Sequence, residues 1–319
     1  MQERLTEAVD VIVRFHNPDR FEELSGALLS LIGQSWRPLR VLLVTQRFTA
    51  VQSRVLEARL APLRALDPSV TLEVVRYACD QGLADARSAL LNAGIAQAHG
   101  RYLAVLDYDD VLYPEAYTVL VNELRASGCA LAFGGIALKS VASSAAVPLG
   151  IGFARVGRPP GRGLLDTFRA PFCPFHGMLL DRSRIAPADV SADESLPVFE
   201  DYEWQLRLGA RYPFSYHALE RIVGEYRYKD DASNTVPTRL NSDAARLAMW
   251  RDYAAEIERR RARLEIAPPI QAGLGIDPPL PGLTIRGLLD RLDRGELTLP
   301  AQAPLPSRLL AYSSAAVGL

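Results

Sequence analysis

The chain has 319 residues, 49% of them hydrophobic, which is enough for one large α/β domain with an appendage or for two domains and excludes wholesale disorder. Its 36 lysines and arginines nearly balance 37 aspartates and glutamates, so no global field draws in nucleic acid. No apolar run approaches the ~20 residues that span a bilayer, and the polar Met1-Gln2-Glu3-Arg4 leads straight into a strand, so a cytoplasmic protein without a signal peptide is expected.

Residues 9–15 (VDVIVRF) are a β-branched run and the first strand. It stops at His16-Asn17-Pro18-Asp19, a turn cluster that also supplies a helix cap. Phe21, Leu24, Leu28, Leu31 and Ile32 then recur at helical spacing. Residues 39–45 (LRVLLVT) form a second strand, and 50–66 a charged helix whose apolar stripe includes Val55, Leu56, Leu60 and Leu63. A third strand over 70–77 is followed by the turn Asp80-Gln81-Gly82 and a helix over 83–98, with Leu83, Ala86, Leu90 and Ala93 on one side. Residues 102–106 are a fourth strand, too short for a helix, and deliver Asp107-Tyr108-Asp109-Asp110. Pro114 and Glu115 open the next helix, with proline in its first turn.

Three carboxylates in four residues repel one another unless a cation sits among them. A hard divalent ion that also holds a phosphate is one partner for them, and a solvated turn with a helix cap is the alternative. Four strand–helix alternations imply a parallel sheet covered on both faces. Its carboxyl-end loops then share one rim: His16-Asn17, Thr45-Gln46, Asp80-Gln81 and residues 107–110, with Arg87 close by.

The second half is less regular. Residues 128–140 are strand-like, and 141–160 are small, Gly- and Pro-rich, a hairpin or mobile loop. Gly150 and Gly152 open no strand-turn-helix and carry no dinucleotide motif. A short helix over 163–169 precedes a strand over 175–180 that should return beside the fourth. Residues 199–208 are a helix with acids in its first turn, 215–228 another strand, and 229–235 a polar loop. A long helix over 240–264 ends in Arg259-Arg260-Arg261, read as a solvated face, with a dock for an anionic membrane as the alternative. From 267 on proline recurs around one helical segment near 284–293: a linker-like tail that either wraps the domain or contacts a partner. Cys79, Cys129 and Cys173 are odd in number and far apart, as expected of buried thiols in a reducing compartment.

These pieces together resemble the family 2 glycosyltransferases, inverting enzymes of the GT-A fold. The family's opening strand ends here in Phe15-His16-Asn17. Its Asn-x-Gly…Ala-Arg…Asn-x-Gly pattern stands as Asp80-Gln81-Gly82, Ala86-Arg87 and Asn92-Ala93-Gly94. Asp107-Tyr108-Asp109-Asp110, followed by Pro114, matches its acidic signature, and Glu200-Asp201-Tyr202-Glu203-Trp204 its Glu-Asp helix. The resemblance covers about 9–235 and implies an α/β, Rossmann-like, mostly parallel central sheet flanked by helices. A GT-A domain is expected over 1–235 (nucleotide-binding half 1–127, acceptor half 128–235), then a C-terminal helix over 236–266 and a Pro-rich extension over 267–319.

It also implies roles. Phe15, His16, Asn17, Thr45, Arg87, Asp107 and Tyr108 surround the nucleotide, with Asp107 on ribose or base. Asp109, with Asp110 beside it, holds Mg²⁺ or Mn²⁺ on the diphosphate, and Asp201 is the general base, with Glu200 as the alternate. The implied partners are a nucleoside-diphosphate sugar and a glycan or lipid-linked acceptor of surface polysaccharide or glycoconjugate synthesis. Peripheral contact with the inner face of the membrane through the C-terminal region is the accessory expectation.

Departures from the family pattern matter. The second strand ends Val44-Thr45-Gln46-Arg47, without the usual base-reading acid, and the Gln-x-x-Arg-Trp signature of processive members is absent, so transfer of a single sugar is expected. Where the family often carries a histidine near the metal, Lys229-Asp230-Asp231 stands, read as a solvated turn with Lys229 pairing to the diphosphate as the alternative. His176 reads as a satisfied core histidine, Trp204 as core, and Tyr108 as packing or lining the donor pocket. Two competing functions are a catalytically silent scaffold member, suggested by the lost acid, and a nucleotidyltransferase. The second wants a Gly-rich basic loop that Phe15-His16-Asn17-Pro18 does not provide.

Overall fold

The computed structural model describes residues 6–78, 86–142, 149–156, 163–171, 173–230, 233–234 and 243–300. Four apolar runs form parallel strands β1 (Thr6–Phe15), β2 (Leu39–Gln46), β3 (Val70–Tyr77) and β4 (Gly100–Asp107), with helices α1 (Phe21–Ile32), α2 (Ala50–Leu66) and α3 (Arg87–Gln97) between them. β1 lies between β2 and β4, and the register sets Phe15 opposite Thr45 and Arg14 opposite Asp107. The strand ends therefore share one rim, as expected. α2 starts where the sequence places it because Thr49 and Gln52 form a capping box. Val55, expected in its apolar stripe, is 51% exposed, and Ser53 is buried instead. Cys79, the Asp80-Gln81-Gly82 turn and the expected start of the third helix at Leu83 lie outside the described residues.

After β4 come β5 (Val111–Leu112) and α4 (Ala116–Ser127). Glu115 takes the N-cap position, so Pro114 precedes this helix rather than opening its first turn. The single strand expected over 128–140 is two, β6 (Leu131–Phe133) and β7 (Gly135–Ala142), in different sheets. Gly134 stands at the crossing, where a Cβ would lie 2.6 Å from Val223 Cγ1. β8 (Leu149–Val156) pairs antiparallel with β7, which fits the hairpin alternative, while residues 143–148 and 157–162 lie outside the described set.

α5 (Leu164–Arg169) leads to a 3-10 turn over Phe175–Gly177, where the expected strand begins, and then β9 (Met178–Asp181), which lies beside β4 as expected and runs antiparallel to it. α6 (Glu200–Gly209) is the Glu-Asp helix. The strand expected over 215–228 is broken by a 3-10 turn at His217–Glu220 into β10 (Phe214–Ser215) and β11 (Ile222–Lys229). The result is a seven-stranded sheet, β10-β6-β9-β4-β1-β2-β3, and a four-stranded one, β5-β11-β7-β8.

α7 (Ala244–Arg261) is capped by Asp243; residues 240–242 of the expected helix and 235 of the polar loop lie outside the described residues, as do 231–232 and 301–319. Helices α8 (Pro268–Gly273) and α9 (Ile285–Asp293) follow, with proline at the start of the first, where its missing N–H costs nothing. Ile270, Leu274, Leu283 and Leu288 pack with Tyr202 and Leu206 of α6, Phe168 of α5 and Ile257 of α7. This part of the expected tail wraps the domain. The arginine run is not simply a solvated face either. Arg259 is exposed, but Arg260 reaches Asp193 at 2.7 Å, and the buried Arg261 donates to the Tyr202 hydroxyl and the Arg169 carbonyl. Cys173 is a buried free thiol, whereas Cys129 is only half-buried. Among the described residues no helix is long and apolar enough to cross a membrane.

Candidate active site

An arginine one residue from the end of an apolar strand is cut off from water and has to find its own anions. Arg14 is 7% exposed. Its Nε and Nη2 donate to Asp107 Oδ1 at 3.1 and 2.5 Å, and its Nη1 donates to Glu200 Oε1 at 2.8 Å. The guanidinium also lies over the Phe175 ring, 5.3 Å from its centroid. Burial works against the ionised form of Asp107, but the charge and hydrogen bonds of Arg14 outweigh it and hold the carboxyl below its usual range. One buried guanidinium thus ties the end of β4 to the first turn of α6.

In that first turn Glu200 is 5% exposed, with Arg87 Nη1 3.9 Å away as a second cation. Asp201 is half-buried and accepts from the Tyr202 N–H at 2.7 Å. Burial first, and the neighbouring charge of Glu200 second, push its carboxyl up to about 7. Phe199, just before the helix, has φ 63°, a left-handed conformation that a non-glycine residue adopts only when its surroundings impose it. Its ring packs edge-on against Trp250 of α7 at 4.7 Å.

Beyond Asp107 the chain turns tightly, with Asp110 N–H on the Asp107 carbonyl at 3.1 Å. Asp110 is 3% exposed; its Oδ1 accepts from the Arg227 N–H at 2.7 Å, and its Oδ2 lies 3.3 Å from His176 Nδ1. Burial, then the charges of Asp109 and Asp107, push its carboxyl well above the ordinary range. Asp109 is more open, and its Oδ2 meets Lys229 Nζ at 2.6 Å. Tyr108 packs edge-on against Phe15 at 5.3 Å and His16 at 5.6 Å.

A cleft of about 930 Å³ runs along this rim. His16, Asn17, Arg87, Asp107, Tyr108 and Asp109 line it, and so does Asp110. Phe15 and Thr45 do not: both strand ends are buried beneath the floor, Phe15 against Phe48 and Thr45 at 3% exposure, and Gln46 reaches the cleft instead. Asp201 is not among the lining residues, but it lies close enough to Arg14 and Asp107 to feel both charges. The far wall comes from α7 through Arg246, Met249 and Tyr253. Asp107 and Asp109 offer hard carboxylate oxygens to one space. That suits an ion such as Mg²⁺ or Mn²⁺, which is usually held by one or two carboxylates and completed by substrate phosphates. Among the described residues no three potential ligands converge into an all-protein cage.

The sequence profile described as "Glycosyl transferase family 2" matches residues 10–185, more than half of the chain. The chain belongs to glycosyl transferase family 2. No curated protein sequence matches this chain. Its fold is similar to that of the mannosyltransferase PcManGT from Pyrobaculum calidifontis, whose structure is in complex with GDP-Man and Mn²⁺ (TM-score 0.52, 15% identity, 91% of this chain and 80% of that one). S. aureus TarS 1–349, alone and with UDP-GlcNAc, matches at TM-score 0.48 with 15% and 14% identity. Those alignments take in 69% and 78% of this chain but 60% and 66% of TarS 1–349, so the chain spans less than two thirds of that protein. The α/β GT-A fold expected from the motifs is the one found.

Four features of this family 2 chain do not show in its sequence. Arg14 carried a signal, a cation inside VDVIVRF, but its anions sit 93 and 186 residues away. Lys229 is not part of a solvated turn; it is the last residue of β11 and 8% exposed. His176 is buried as expected, but among the described residues neither ring nitrogen makes an aligned hydrogen bond, and burial pulls its pKa down to about 4. Nothing in the pattern of α7 signalled a cleft wall.

Proposed function

We propose that the chain is a metal-dependent inverting glycosyltransferase that moves one sugar from a nucleoside-diphosphate sugar to a hydroxyl of a glycan or lipid-linked acceptor. The observation that carries this reading is the Arg14 bridge, which holds the acidic end of β4 and the first turn of α6 as one unit beside the cleft. His16, Asn17, Gln46 and Arg87 are in position to receive the nucleoside and its phosphates, and Asp107 the ribose or base. Asp109, with Asp107, would hold Mg²⁺ or Mn²⁺, which would neutralise the charge that grows on the diphosphate.

The proton work falls to Asp201. It accepts the proton of the acceptor hydroxyl while that oxygen bonds to the anomeric carbon. The bond from that carbon to the diphosphate breaks, its electron pair leaving with the phosphate, and the anomeric centre inverts. A carboxyl raised to about 7 is basic enough for this, with about half of it ionised at pH 7. Glu200 is the weaker candidate because Arg14 and Arg87 already engage it.

The test is a panel of nucleotide sugars with Mn²⁺, read as thermal shift, donor hydrolysis and transfer to added acceptors. One nucleoside diphosphate stabilises the protein in a metal-dependent way, by about 2.7 kcal/mol at a hundredfold excess over Kd. Asp201→Asn binds that donor normally and transfers at least ~10²-fold more slowly. Full activity in this variant removes Asp201 from the mechanism.

A further inference from the structure

We infer that Lys229 is a resident counter-cation of the acidic turn, one that yields Asp109 to an incoming divalent metal and moves its ammonium onto the donor's diphosphate. The inference rests on the donor reading above and adds a binding order to it.

Lys229 is built into this place. It closes β11, its N–H donates to Asn234 Oδ1 at 2.9 Å, and its carbonyl accepts from Asn234 Nδ2 at 2.7 Å. Two residues earlier the Arg227 N–H is held by Asp110, so the same strand end is clamped to the acidic turn itself. The ammonium lies 2.6 Å from Asp109 Oδ2 and 5.8 Å from the centroid of the Tyr108 ring, with its side chain 5% exposed. An ammonium taken this far out of water needs an anion beside it, and the more open Asp109 supplies one.

A divalent cation on the same carboxylate repels that ammonium at close range. The backbone of Lys229 is fixed, but its four-carbon stem lets Nζ swing. Asp109 and Lys229 border the same cleft, so a diphosphate carried in with the metal enters within reach of the ammonium. Metal alone costs the lysine its ion pair and leaves it the longer-range charges of Glu23 and Asp110, whereas metal with a nucleoside diphosphate gives it a new pair. The two ligands must therefore promote each other's binding by the same factor.

The experiment measures free Mn²⁺ by electron paramagnetic resonance, titrated into the full chain with and without uridine or guanosine diphosphate. In the wild type, Mn²⁺ alone binds weakly and one of the diphosphates tightens it by at least about fivefold. Lys229→Met binds Mn²⁺ alone at least about fivefold more tightly, and the diphosphate then adds little. Lys229→Arg keeps the wild-type suppression. If Lys229→Met does not fold, Asp109→Asn decides: the released lysine lets it bind the diphosphate without metal at least as well as the wild type. Unchanged or weaker Mn²⁺ binding by Lys229→Met, or weakened metal-free diphosphate binding by Asp109→Asn, overturns the exchange. A wild-type protein that binds neither Mn²⁺ nor either diphosphate overturns the donor reading, and the exchange with it. Wild-type binding reproduced unaltered in Lys229→Met overturns the exchange alone.

Discussion

Replacing Glu200 with glutamine removes the charge that acts most strongly on Asp201 and one of the two anions on Arg14. Both changes lower the Asp201 pKa: the repelling carboxylate goes, and Arg14 is freer to stabilise the Asp201 anion. A general base works ionised, so kcat/KM rises with pH through that pKa, with a limb near 7 in the wild type. In Glu200→Gln the limb moves to lower pH, read from kcat/KM between about pH 5 and 9; an unmoved limb denies Glu200 this part. The same shift bears on stability. With a folded pKa of about 7 against an ordinary 3.8, Asp201 binds more protons folded than unfolded, so stability falls as pH rises through that window. Asp201→Asn removes the dependence and gains more in Tm at pH 8 than at pH 4, which scans at the two pH values check. These acids were legible because they interrupt apolar runs and helix starts, places where a charge needs a reason. Arg14 stood in equally plain view, but only the pairing of β1 with β4 gives it Asp107. That pairing is a tertiary fact, beyond what a strand's own residues state.

Elements were legible where local chemistry alone decides them. Thr49 with Gln52 and Thr284 cap α2 and α9, and those helices begin where their sequences say. Where two sheets compete for one stretch, apolar patterning runs on regardless, so residues 128–140 and 215–228 each looked like one strand. The breaks come from packing between segments distant in sequence. Gly224 belongs to the same logic, since a Cβ there would lie 2.6 Å from the Val111 carbonyl oxygen of β5. A backbone oxygen held in a strand pair cannot swing aside as a flexible side chain can. Gly224→Ala is expected to lose about 1–3 kcal/mol through overpacking, measured by urea unfolding. An unchanged midpoint would mean that β5 and β11 have slack at their antiparallel pairing.

At the scale of the whole molecule, recurrent proline from 267 onward gave the look of a linker, because proline cannot continue a regular element. It hid an apolar series, Ile266, Ile270, Leu274, Ile276, Leu283, Ile285 and Leu288, that buries itself in turns and short helices. α6 lies between two clusters: Trp204 and Leu208 face the main sheet, and Tyr202 and Leu206 face this C-terminal series. The helix carrying Glu200 and Asp201 is therefore held in place partly by residues after 264. Leu288, fully buried in α9, tests whether these are one unit. Leu288→Ala removes buried methyl groups at a cost of about 2–5 kcal/mol. If the extension is part of the domain, that loss lowers the midpoint of the entire unfolding transition, and far-UV circular dichroism and tryptophan fluorescence shift together. An independent appendage would instead melt early in one probe and leave the main transition where it was. Coincident shifts make the segment after 264 structural support for the Glu-Asp helix; separated ones return it to the status of a tail.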